Sequence, residues 1–498
     1  MAKLGDIYRP SLALLTDLYQ LTMTYAHWKS GTHGKRAVFN LFFRQHPFKG
    51  GFTLACGLHR ALDLLEGFRF DEADLRYLGE LAGSDGQPLF EPAFLDYLAG
   101  LRLSCDVEAV PEGTVVFPHE PLLRVTGPIA EASLLETPLL NIINFETLIA
   151  TKAARVCLAT HGEPVIEFGL RRAQGIDGAL AASRAAHVGG CAATSNVLAG
   201  RLWGIPVRGT HAHSWVMAFP SELAAFEAYA EAMPNNCVFL VDTYDSLQGV
   251  RNAIEVGREL RQRGHELAGV RLDSGDLAYL SIQARALLDA GGFPHASIVA
   301  SNDLDEHVIE SLKDQGARIN SWGVGTQLVT AYDQPALGGV YKLAAVMGSD
   351  GHWQHKVKLS EQSIKVSTPG IQQVRRYARA GEFVADVIYD EERGVAEGTT
   401  MVDPADATRR KRLPAGPDWE DLLVPVARAG QVTYQRPELN AVRVRARQQL
   451  SGFHAGIKRF MNPHQYPVGL EARLFDLRTR LVLEARGVPV EEVLPGRE

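Results

Sequence analysis

Along the middle of the chain, short apolar runs alternate with clusters of polar residues and glycines. Val165–Glu167 leads into Glu167-Phe168-Gly169-Leu170-Arg171-Arg172, and Ile205–Val207 into Gly209-Thr210-His211-Ala212-His213-Ser214. Val238–Val241 precedes Asp242-Thr243-Tyr244-Asp245, and Gly269–Leu272 carries Arg271 into Asp273-Ser274-Gly275-Asp276. Ile298–Ala300 precedes Ser301-Asn302-Asp303, and Ile319–Trp322 precedes Gly323-Val324-Gly325-Thr326. Most clusters lie about thirty residues apart, the length of one strand-plus-helix unit. The repetition over 161–345 predicts a parallel α/β barrel with polar residues at the strand C-termini, the face that carries active sites in that architecture.

The flanks follow other patterns. Residues 11–29 predict a helix, with Thr16 as N-cap and Leu18, Leu21, Thr22 and Tyr25 on one face. Val38–Phe43 predicts a strand, and 71–100 a mixed helical region. Cys105–Pro128 predicts short strands broken by Pro111-Glu112-Gly113, Pro118, Pro121 and Gly127-Pro128. A long helix is predicted from Glu131 to Thr160. After Met347, strand-like alternation returns at Lys356–Ser360, Gln373–Arg376 and Phe383–Ile388, and Pro414–Pro417 predicts a loop. The tail from Ala441 to Arg486 reads largely as basic helix. The domain reading is an N-terminal α/β module, 1–136, completed by 346–435; a barrel, 137–345; and a helical C-terminal tail, 436–498.

Composition narrows the function. With 46% hydrophobic and 22% charged residues over 498 positions, the chain can bury a large core. A net charge of −7 argues against a nucleic-acid binder or an anionic-membrane binder. The five cysteines are dispersed without metal-ligand spacing, which predicts reduced thiols in a cytoplasmic protein. The N-terminus lacks the apolar segment of a signal peptide, and no stretch is long enough to span a bilayer.

Each cluster admits a chemical and a structural reading. Gly323 and Gly325 let backbone amides approach an anion before a helix start, or they make a tight turn. A third glycine of a dinucleotide fingerprint is absent, and no Walker A sequence occurs. Arg271 and Asp273 sit at alternate strand positions, suited to a planar anion and a ribose, or to pairing with each other. Asp276 is a candidate cap for the next helix. Phe168 can stack on a heteroaromatic ring while an adjacent arginine takes phosphate, or it is a core residue. His211 and His213 point the same way if their segment is extended. Acid–base, nucleophilic and structural roles stay open for them.

Taken together, these motifs resemble the nicotinate phosphoribosyltransferase family. Thr16-Asp17-Leu18-Tyr19-Gln20-Leu21-Thr22-Met23 and Arg459-Phe460-Met461-Asn462-Pro463 add to the likeness. The resemblance implies an irregular TIM-like α/β barrel of the type II phosphoribosyltransferase kind, with a discontinuous α/β N-terminal module. It implies that nicotinate and phosphoribosyl pyrophosphate give nicotinate mononucleotide and pyrophosphate. ATP is the co-substrate, Mg²⁺ the cofactor, and a homodimer with shared active sites the working unit. His213 falls at the position phosphorylated by ATP. The resemblance assigns Arg271, Tyr19, Phe168 and Thr210 to nicotinate, and Asp273 to the ribose. It assigns Arg171, Ser274, Gly275, Gly323, Gly325 and Thr326 to phosphates and ribose. Ser195 stands where the nicotinamide enzyme has an aspartate, which favours a carboxylate substrate. The metal ligands are not assigned. The alternatives are a nicotinamide phosphoribosyltransferase or a non-catalytic binding protein on the same scaffold.

Overall fold

Apolar runs of two to four residues, covered on both faces, form a parallel sheet at the centre of the protein. A computed structural model describes residues 11–362, 365–413 and 418–490. The central strands are β1 Val165–Glu167, β2 Ala193–Thr194, β3 Val238–Leu240, β4 Gly269–Leu272, β5 Ser297–Ala300 and β6 Ser321–Val324. They pair in parallel in the order β2-β1-β6-β5-β4-β3. Helices follow the strand-end clusters. Asp245, Asp276 and Asp305 each accept a main-chain N–H at a helix start, so these three acids act as N-caps.

Among the described residues the sheet does not close into a barrel. The run Ile205–Val207, expected as a strand, makes a single bridge, Val207 to Thr194. Pro206 is the reason: it has no N–H to extend a ladder. Its carbonyl accepts from Thr194 N, and Arg208 N donates to Thr194 O, so the segment is tied to β2 only. On the far side, Leu240 N of β3 donates to the imidazole of His211 at 3.2 Å. A side chain therefore spans the gap that a barrel strand would fill.

A seven-stranded sheet holds the N-terminal module. Arg36–Phe42 pairs with Leu123–Pro128 and with Val340–Met347, and Asp106–Ala109 pairs with Val424–Arg428. This sheet and the region around the central parallel sheet meet at Arg184, which donates to Glu112 at 2.7 and 2.8 Å and to Glu146 at 3.0 Å, all three buried. The Cys56 thiol lies 3.7 Å from both carboxylates, and burial, followed by those charges, pushes it up. The guanidinium between the carboxylates makes this a buried ion-pair joint.

Several flanking expectations change. The first helix among the described residues is Leu18–Lys29 with Asp17, not Thr16, at its N-cap, and it buries Gln20, Leu21 and Thr24 while Leu18 is exposed. Lys356–Ser360 is not a strand. Gln372–Arg379, Glu382–Asp390 and three shorter strands build a separate sheet with Val468–Glu471. The tail is consequently not all helix: Leu439–Ser451 and Ala472–Ala485 are helical, and a strand lies between them. The Pro414–Pro417 segment lies outside the described residues. Among the described residues no helix is long and apolar enough to cross a membrane, and all five cysteines are free.

Candidate active site

Parallel strands end on one side of the sheet, so residues remote in sequence meet there. Arg271 is the second-to-last residue of β4. Its Nε donates to Ser301 Oγ at 2.8 Å, one terminal nitrogen to Thr210 Oγ1 at 3.0 Å, and the other to Asp273 Oδ1 at 3.0 Å. One N–H on each terminal nitrogen is unused by these three bonds, so the fork retains two donors for a planar anion. Ser301 Oγ also donates to Asp273 Oδ1. Asn302 and Asp303 follow at φ 97° and 36°, a left-handed turn that bulky residues rarely adopt. This turn holds Ser301 between the arginine and the aspartate.

Phe168 closes one side. It is 9% exposed, and the Arg271 guanidinium carbon lies 5.5 Å from its ring centroid. A Cβ on Gly323 would sit 2.6 Å from this ring, and one on Gly169 would sit 2.2 Å from Val329. Gly323 therefore has a packing reason to be glycine: the phenyl ring fills its side-chain space. Glu167 fixes the turn. Its buried carboxylate accepts from Gly169 N, from Ser183 Oγ at 2.8 Å and from Thr194 Oγ1 at 2.6 Å. Ser195 N donates to Glu167 O at 2.9 Å, so Phe168 and Ser195 are placed by one residue.

The two histidines do not point the same way. His213 opens the helix His213–Met217, which turns its ring from that of His211. Its Nδ1 meets Thr243 Oγ1 at 3.1 Å, and its Nε2 lies 3.9 Å from Asp242 Oδ1 and 3.9 Å from Asp273 Oδ2. Asp242 Oδ2 accepts from Asp273 N at 3.1 Å and Ser274 Oγ at 2.5 Å, while Oδ1 is buried without a partner. His211 instead packs among Phe226, Tyr229 and Phe239. Burial pushes its imidazole down to about 4, in keeping with a neutral ring that accepts from Leu240 N.

A stability prediction follows. A histidine with a depressed folded value contributes stability above its unfolded value, and that stability is lost as pH falls through the folded value. His211→Phe keeps the packing and leaves Leu240 N–H without its acceptor. The gap in melting temperature between wild type and variant is expected to be widest above pH 6.5 and to narrow as pH falls toward 4. A gap that stays constant from pH 8 to pH 4 contradicts the acceptor role.

The strand ends bring Phe168, Thr210, His213, Arg271, Asp273 and Ser274 into one network, and sequence reasoning left out Asp242, Thr243, Ser301 and Glu167. Arg171 lies in the turn Leu170–Arg172, exposed. Gly325 precedes the four-residue helix Thr326–Val329, and Gly275 adopts φ 78°. Tyr19 stands apart. It is 47% exposed, and its phenol is raised by burial and by the Glu136 carboxylate, not by any strand-end residue. Exposed apolar side chains occur in the segments that follow the strands: Val197 at 70%, Tyr244 at 68%, Tyr279 at 54% and Tyr332 at 69%. For Mg²⁺, hard oxygen donors are present in Asp242 Oδ1 and Asp273 Oδ2.

The chain matches known proteins along most of its length. Residues 14–144 match the nicotinate phosphoribosyltransferase (NAPRTase) N-terminal domain, 164–371 the NAPRTase family and 372–478 the C-terminal domain. The chain is 44% identical to a nicotinate phosphoribosyltransferase of Bacillus subtilis, covering 97% of this chain and 98% of the relative. It is 36% identical to that of Homo sapiens, covering 93% and 95%. The crystal structure of human nicotinic acid phosphoribosyltransferase superposes with a TM-score of 0.82 at 34% identity, over 94% of this chain and 99% of that one. A nicotinate-nucleotide pyrophosphorylase from Pyrococcus furiosus shares the fold, with a TM-score of 0.68 at 21% identity over 91% and 97%. The chain belongs to the nicotinate phosphoribosyltransferase family.

Proposed function

We propose that this protein transfers the phosphoribosyl group of phosphoribosyl pyrophosphate to nicotinate, and that it couples the transfer to ATP hydrolysis through His213. The observation that carries the reading is the convergence, at one end of one sheet, of an anion-directed arginine, an aromatic wall, and a histidine facing two carboxylates. We read the sheet as an irregular TIM-like barrel of the type II phosphoribosyltransferase kind, spanned between β2 and β3 by the 205–211 segment.

Nicotinate's ring nitrogen has a free lone pair, so its attack on the anomeric carbon needs no general base. A C–N bond forms as the C–O bond to pyrophosphate breaks. Positive charge develops on the ribose, and Asp273 would face it. Arg271, tied to Thr210, presents its remaining donors to the nicotinate carboxylate, with Phe168 as a wall beside the pyridine ring. Ser195 leaves the carboxylate without a repelling acid. Arg171, Ser274, Gly275 and the Gly323–Thr326 loop serve the phosphates. Asp242 and Asp273 would hold Mg²⁺, which offsets phosphate charge when bound.

The homodimer is part of this proposal. The exposed apolar side chains that follow the strands suit a partner surface, and Tyr19 with Leu18 and Met23 is exposed on a helix whose Gln20 bonds to Glu136. Each active site would then take Tyr19 from the partner subunit. Homodimers of Tyr19→Ala and of Arg271→Ala are each expected to be nearly inactive. Mixed and reassembled, they are expected to regain about a quarter of wild-type activity, because half the dimers are mixed and each has one intact site. Confirmed subunit exchange without recovery contradicts sharing. The transfer itself is tested with labelled nicotinate, phosphoribosyl pyrophosphate and Mg²⁺. Labelled mononucleotide with stoichiometric pyrophosphate is expected, and tight binding of nicotinate without conversion makes the chain a binding protein.

A further inference from the structure

At the opposite end of the sheet, beneath β1 and β2, lies a cavity of about 590 Å³. Its walls come from the end of the helix Glu136–Ala159, the residues leading into β1 and β2, and the helix Leu439–Ser451. The lining is apolar at Ala154, Leu158, Val188 and Leu450, and cationic at Arg443, Arg447 and Lys458. The one carboxylate there, Glu163, is already held by Lys313 at 2.8 Å and by the Trp322 indole N–H at 2.7 Å.

The three cations have no such partner. Among the described residues none of them forms an ion pair with a carboxylate. Arg443 spends one terminal nitrogen on Gly190 O at 2.8 Å, and its Nε is buried with no acceptor. Lys458 donates only to the carbonyls of Leu450 and Phe453, and burial lowers its ammonium. Buried donors without acceptors are costly, and a protein of net charge −7 that gathers unpaired cations around an apolar hollow has concentrated positive potential there.

We infer that this cavity is a second, non-catalytic binding site for a small amphipathic anion, an apolar or aromatic body carrying a phosphate, sulfonate or carboxylate. Its volume falls in the range of small-molecule pockets. The apolar wall takes the body, and Arg443, Arg447 and Lys458 take the charge. The site is distinct from the strand-end network, because it touches the residues that enter β1 and β2, whereas Phe168 and Ser195 leave them.

The test uses the full-length protein and 8-anilinonaphthalene-1-sulfonate as probe, followed by fluorescence titration with and without saturating phosphoribosyl pyrophosphate. One saturable site is expected to persist when phosphoribosyl pyrophosphate is present. Its affinity is expected to fall about tenfold or more in Arg447→Glu and Arg443→Gln, and to stay unchanged in Arg271→Gln. The uncharged N-phenyl-1-naphthylamine is expected to bind at least about tenfold more weakly. Arg447 is exposed and makes no hydrogen bond among those described, so its reversal does not threaten the fold and decides the matter alone. Displacement by phosphoribosyl pyrophosphate, undiminished binding to Arg447→Glu, or equal affinity for the neutral probe overturns the inference. None of these readouts depends on catalysis, so the result is independent of the proposed reaction.

Discussion

His213→Ala is expected to abolish nicotinate-stimulated ATP hydrolysis and the acid-labile phosphoryl label on the protein, while slow ATP-independent transfer persists. The geometry gives the reason. With Nδ1 engaged by Thr243 Oγ1 at 3.1 Å, the other ring nitrogen is the one presented as nucleophile. In the proposed phosphorylating step Nε2 would form a bond to the terminal phosphorus of ATP as the bond from that phosphorus to the ADP oxygen breaks. The ring gains positive charge as it attacks. Two carboxylates at 3.9 Å offset that charge, and one of their oxygens, Asp242 Oδ1, is buried with no other partner. The alanine variant removes the acceptor and leaves Arg271, Phe168 and Asp273 in place, so nicotinate and ribose can still be held. ATP hydrolysis measured with and without nicotinate, alongside protein-bound phosphate, checks this. Full ATP stimulation in His213→Ala removes the histidine as the phosphoryl acceptor.

Arg271→Gln is expected to weaken nicotinate far more than phosphoribosyl pyrophosphate. A charge-assisted contact contributes about 1.5–3 kcal/mol, which corresponds to roughly a 10- to 150-fold rise in KM for nicotinate. The residue also anchors Thr210, Ser301 and Asp273, so kcat is expected to fall as well. Arg271→Lys separates charge from shape: it keeps the cation and loses the planar fork, and it is expected to recover only part of the affinity. Equal weakening of both substrates in Arg271→Gln reassigns the residue to phosphate binding or to holding the strand ends together.

The parts of this site that were legible in the sequence are those set by local pattern. Apolar runs ending in polar clusters located four of the six central strands, because a buried parallel strand is a short apolar run and its C-terminal turn is polar; β6, Ser321–Val324, instead takes in Gly323 and Val324 of its own cluster. β2 is only two residues long and left no such run. Ile205 and Val207 read as a strand that the missing N–H of Pro206 prevents. Asp242 was visible as part of a cluster, but its role depends on lying 3.9 Å from His213, which opens a helix earlier in the chain, a distance that no spacing encodes. The divergence of His211 and His213 depends on a helix starting between them. The strand Val468–Glu471 pairs with Asp386–Ile388 and Met401–Val402, contacts too remote in sequence to leave a local signal. Tyr19 was marked by family likeness alone, since nothing about an exposed tyrosine on a helix discloses what it meets.

The most direct measurement is kcat/KM for nicotinate and for nicotinamide on the wild-type protein, with phosphoribosyl pyrophosphate and Mg²⁺, in the presence and absence of ATP. The Arg271 fork and the absence of an acid at Ser195 require the carboxylate substrate to be preferred by about tenfold or more, with ATP raising its turnover. Equal use of the two, preference for the amide, or turnover of neither contradicts the reading of these strand ends as a nicotinate phosphoribosyltransferase site.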